Sequence, residues 1–175
     1  MKNSNNKFEK KENFSERLRT ELLRLNNLVF GEEIPVEIKH LQDFPSAPAL
    51  YHFEWDKDKQ MPTQESYWVN DIIENPSHIL RIAVHEIRHR VQHLLDIERF
   101  DQNKVLKLEK ILGVSFSHIP QNLDKNDFDA FIIDRIVESL MKRRDEISLE
   151  VIAEEIIKKD ADDIILFLEN FFLHN

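Results

Sequence analysis

Two histidines four residues apart, with a glutamate directly after the first, occur once in the chain, in Val84-His85-Glu86-Ile87-Arg88-His89-Arg90-Val91-Gln92-His93. On an α-helix, residues four apart share a face, so His85 and His89 can aim two imidazole nitrogens at one metal ion with Glu86 beside it. Neutral imidazole is a good zinc ligand, and two such ligands leave room for a third protein ligand and a water. A neighbouring carboxylate can take the proton of that water. The expected roles are therefore His85 and His89 as zinc ligands and Glu86 as general base. In a chain rich in His and Glu the same five residues could also arise on a solvated helix face. The flanking apolar residues favour the metal site, since the motif needs a long, part-buried helix.

That helix must be long and well buried. Ile79, Leu80, Ile82, Ala83, Val84, Ile87, Val91, Leu94 and Leu95 cover much of its circumference, and it is expected to run to about Arg99. Asn75 or Ser77 would cap it, with Pro76 tolerated in the first turn. His93 stands eight residues from His85, about 12 Å along the axis, too far to complete the same site. His40, His52, His78, His118 and His174 read as ordinary surface or hydrogen-bonded histidines.

The remaining elements follow from periodicity and punctuation. Residues 1–12 are too polar to repay ordering and read as a disordered tail, leaving 13–175 as one domain. Phe14 to Phe30 carries Leu18, Leu22, Leu25 and Val29 at helical spacing, with Ser15 as the expected cap and Gly31 at the end. Residues 34–41, 49–55 and 65–70 have strand character, which predicts a small, mostly antiparallel sheet beside the His-Glu helix. Further helices are expected over about 102–112 and 125–142. A helical C-terminal extension over 146–175, its last two helices broken near Asp160, completes a mainly helical α+β domain.

Composition restricts the function. The chain has 175 residues, no Cys, two Gly and a formal charge of −9. Without Cys there is no thiol nucleophile and any metal is held by His and carboxylates, and with so few Gly there is no phosphate-binding loop. Excess acid argues against a nucleic-acid partner. No apolar run suggests a leader or a membrane span, so a soluble, cytoplasmic protein is expected. The oligomeric state is not legible.

The third ligand must come from another element, and the helix opening Asn126-Asp127-Phe128-Asp129-Ala130-Phe131 offers two acids. Two residues apart, Asp127 and Asp129 point to nearly opposite sides, so only one can face the metal. Asp127 shares a stripe with Asp134 and Glu138 that would otherwise be a solvated face. Asp129 shares its side with Ile133, Ile136 and Leu140, where a carboxylate needs a partner. Arg88, between the two histidines, is a candidate for that partner, while Asp96 or Glu86 could instead engage it.

Residues of about 47–140, with Tyr67-Trp68-Val69-Asn70, the HEIRHRVQ helix and the acidic-x-acidic-Ala helix, resemble the minimal gluzincin-type metallopeptidase core of ImmA/IrrE-like and related phage- and plasmid-borne peptidases. The resemblance implies a zincin-like fold, zinc as cofactor, a peptide or protein substrate and Asp127, three residues before Ala130, as third ligand. Helical geometry leaves Asp129 as the residue behind it, or as the alternative ligand. The chain departs from the family in having Asp where Glu is usual and Phe131 where a polar residue is usual. On this reading the substrate would extend along a sheet edge at Tyr67–Asn70. The other class of function is a binding or regulatory module that keeps the metallopeptidase-like fold and acts through its acidic helical C-terminal region.

Overall fold

The computed structural model describes residues 13–73, 78–120, 122–142 and 147–173. The expected N-terminal tail and the expected caps Asn75 and Ser77 lie outside these. The described residues form a single α+β domain of six helices and a three-stranded sheet. No helix among them is long and apolar enough to cross a membrane.

Helix α1, Phe14–Phe30, buries Leu18, Leu22, Leu25 and Val29 and ends at Gly31, whose φ of 70° needs a residue without a Cβ penalty. Its cap is Asn13, which accepts from the Glu16 amide, and not Ser15. Ser15 is instead buried and donates to the Asn70 carbonyl. Two residues past the cap, it has entered the face that packs on the sheet.

The strands are β1 (Val36–Lys39), β2 (Ala49–Asp56) and β3 (Met61–Asn70), in the order β1-β3-β2. The β2–β3 hairpin is antiparallel but β1 runs parallel to β3, so the sheet is mixed where a mostly antiparallel one was expected. The loop from Leu41 to Pro48 causes this: it carries the chain past β3, and β2 adds on the far side. Asn70 secures the loop by donating to the carbonyls of Pro45 and Ala47. Consequently Tyr67–Asn70 lies in the central strand and has no free edge; β2 is the edge on the side of the helices described next.

Helix α2, Ile79–Leu94, is the centre of the molecule, in contact with α1, β2, β3 and α4 (Lys125–Met141). It stops at Leu94, short of the expected Arg99, because Leu95 turns to an extended conformation. Backbone groups beyond it are claimed by distant partners: the Phe100 amide donates to Asp129, and the Glu98 carbonyl accepts from the Ala161 amide. Helix α3, Gln102–Leu112, ends at Gly113 as expected. The C-terminal part comprises α5 (Leu149–Ile152), a π-helical turn over Ala153–Ile157, and α6 (Ala161–Leu173), with the break expected near Asp160.

Behind α2, a second anchor fixes the hairpin. Arg90, almost wholly buried, donates through Nε and Nη2 to the two carboxylate oxygens of Glu65 at 3.0 Å each, and to Asn26 and Glu32. A bulge in β3, where Gln64 with its positive φ and Glu65 stand opposite the single β2 residue Phe53, brings Glu65 to this position. Burial alone would raise the pKa of Glu65, but the Arg90 guanidinium and the Tyr51 hydroxyl outweigh it and hold the carboxyl below its ordinary 4.5. A depressed carboxylate stabilises the fold fully above the unfolded value and ceases to do so as the pH falls through the folded value. The stability gap between wild type and Glu65→Gln should therefore shrink on acidification below about pH 4.5. Thermal melts across that range check this, and a pH-independent gap would refute it.

Candidate metal centre

Helix α2 brings His85, Glu86 and His89 to the wall of a cleft of about 620 Å³ between β2 and the start of α4. Asp124 caps α4 by accepting from the amides of Asn126 and Asp127, which fixes the first turn and delivers the Asp127 side chain opposite the histidines. The His85 and His89 Nε2 atoms are 3.2 Å apart, and His89 Nε2 lies 3.2 Å from Asp127 Oδ1. All three candidate ligand atoms lie within 4.8 Å of one another. Tetrahedral zinc with bonds near 2.05 Å has ligand atoms roughly 3.3 Å apart, so the two 3.2 Å separations made by His89 Nε2 match that spacing and the N,N,O set could hold such an ion. Of the two acids, Asp127 reaches the histidines and Asp129 turns away to Arg88.

Each histidine is oriented from behind. Gln92 donates through its amide nitrogen to the Asn126 carbonyl (2.9 Å) and to Asp129 Oδ2 (2.8 Å), which leaves its oxygen facing His89 Nδ1 at 3.0 Å. His89 must then carry its proton on Nδ1, so the lone pair is on Nε2, the atom that faces the cleft. His85 Nδ1 is buried without a hydrogen bond among the described residues and lies 3.6 Å from Asp134 Oδ2. Asp134 is 3% exposed and held by Arg81, so the stripe Asp127, Asp134, Glu138 is not a solvated face at its middle member. Phe131 packs edge-on against the His85 ring, 4.5 Å between centroids, where it restricts that ring's movement.

Asp129 is fully buried and accepts four hydrogen bonds: from Arg88 Nε (2.7 Å) and Nη2 (3.3 Å), from Gln92 and from the Phe100 amide. Arg88, equally buried, also donates through Nη1 to the carbonyls of Ile157 (2.8 Å) and Lys159 (2.7 Å). Neither Asp96 nor Glu86 engages it. The pair joins α2 to α4 and the C-terminal turn, and through Gln92 to a ligand of the candidate metal centre.

Glu86 lies beside the candidate ligands, its Oε2 accepting from the Tyr51 amide at 2.7 Å. Burial pushes its carboxyl above the ordinary range, against the opposing fields of His85 and His89. Burial resists charge on His89, but the Asp127 carboxylate and Glu86 outweigh it and draw the pKa of the imidazole up, while the same contact draws that of Asp127 down.

Three contributors escaped the reading of the sequence. Gln92 stood in plain view three residues after His89, and Asp134 two turns after Asp127 on the same stripe; both spacings place a polar group against a ligand. The Tyr51 amide has no signal, since every residue carries one. No protein-family model, curated protein or solved structure matches the chain, so the likeness to gluzincin-type peptidases rests on its residues alone.

Proposed function

We infer that the protein is a zinc-dependent peptide hydrolase. The observation that carries this reading is the convergence of His85, His89 and Asp127 ligand atoms within 4.8 Å of one another, with the Glu86 carboxylate alongside. Zinc bound there would supply Lewis acidity toward a carbonyl oxygen and make a water acidic enough to lose its proton near neutral pH. Glu86 Oε2 is held by the Tyr51 amide, which leaves Oε1 to accept that proton. A carboxyl raised by burial is a stronger base than an exposed one, and closer to the operating pH. Gln92 keeps the His89 imidazole in the tautomer that offers Nε2, and the Asp134 carboxylate, 3.6 Å from His85 Nδ1, favours the same tautomer there by its charge. A substrate in extended conformation would add to the outer edge of β2, whose residues Ala49–Tyr51 line the cleft, using its groups other than the Tyr51 amide that Glu86 occupies.

The test is metal analysis followed by activity. Purified protein should hold about one zinc per chain, and His85→Ala should lose it. Metal-replete wild type should then cleave members of a peptide library. Protein that takes up no zinc would favour a regulatory module retaining the fold.

A further inference from the structure

His93 lies one turn beyond His89 on α2 and lines the same cleft. Its ring packs on Phe53 and Tyr51, with centroids 4.3 and 5.4 Å away, and it makes no hydrogen bond among the described residues. Nδ1 is buried and unpartnered. A buried bare acceptor is less costly than a buried unpaired N–H, so the proton belongs on Nε2, on the opposite edge of the ring. That edge is what the side chain has left to present to the cleft. Burial, with His89 and Arg99 nearby, holds the imidazole below its ordinary pKa and so neutral.

We propose that His93 is the substrate-binding donor of the cleft: its Nε2–H donates to the carbonyl oxygen of a peptide held at the His85–His89–Asp127 centre, stabilising the negative charge that develops there. The proposal rests on the hydrolase reading and assigns His93 a role distinct from metal ligation.

The test needs no substrate. Protein loaded with cobalt in place of zinc is titrated with acetohydroxamate, a small metal-binding anion that presents oxygen atoms where the carbonyl would sit, and binding is followed in the visible spectrum. His93→Phe keeps an aromatic ring against Phe53 and deletes the donor, and His93→Gln restores an N–H. The expected result is unchanged cobalt uptake in both variants, hydroxamate binding weakened about tenfold or more in His93→Phe, and recovery of much of that loss in His93→Gln. Equal hydroxamate binding by wild type and His93→Phe would overturn the role of His93 and leave the metal centre standing. Loss of cobalt from both variants would make His93 a ligand or a structural residue and would also overturn it. Failure of wild type to take up cobalt would remove the hydrolase reading and the proposal together.

Discussion

Replacing Glu86 by glutamine should leave the fold and the zinc content unchanged and lower hydrolytic turnover by roughly 10²- to 10⁴-fold, the usual contribution of a positioned general base. The amide oxygen of glutamine can still accept the Tyr51 amide, so the side chain keeps its place. What disappears is the second oxygen that could take a proton. The metal-free variant should melt at or above the wild-type temperature, because Glu86 is buried at 6% exposure and burial disfavours its charged form. Zinc content, melting temperature and turnover on a library-selected peptide, measured on the same preparation, separate these effects. Undiminished turnover would remove Glu86 from the reaction.

Replacing Asp129 by alanine should be the most damaging single change to stability, at roughly 3–5 kcal/mol, the cost of orphaning a buried charge. Four donors lose their acceptor at once: two from Arg88, one from Gln92 and the Phe100 amide. In a chain of this length that corresponds to a fall in melting temperature of about 10 °C or more. Gln92 also loses an anchor, so His89 is less firmly oriented and zinc should bind roughly 10- to 100-fold more weakly. Chemical denaturation, metal titration and a double-mutant cycle with Arg88→Ala are the measurements. Additive losses, with no coupling between the two positions, would show that the ion pair does not hold these helices together.

The sequence was most informative where a residue's role depends on its own helix. Four-residue spacing placed His85 and His89 on one face, and two-residue spacing separated Asp127 from Asp129; Gly31 and Gly113 marked helix ends because their conformation is local. The apolar side assigned to Asp129 by periodicity implied a cationic partner, and Arg88 lies against it. Other features depend on groups distant in sequence. Helix α2 ends early because Phe100 and Glu98 are bonded to α4 and α6, and nothing within 95–99 announces that. The parallel placement of β1 is decided by the loop after it, and local alternation is blind to strand order. Asp134 looked solvated because its stripe is polar at both ends, and only the approach of Arg81 and His85 buries it.

The bonds from Arg88 to the carbonyls of Ile157 and Lys159 span 69 and 71 residues of chain. During synthesis at about 5–20 residues per second, the arginine waits roughly 4–14 s before its last two acceptors exist. Until then Arg88 lacks part of its support, and so does the Asp129–Gln92–His89 chain that depends on it. A nascent or C-terminally shortened chain therefore carries the whole His-Glu helix without a settled metal centre. The order of events is therefore set by the chain itself: the candidate ligands are made early, and the segment that completes the support of the helix carrying two of them is made 69 to 71 residues after Arg88.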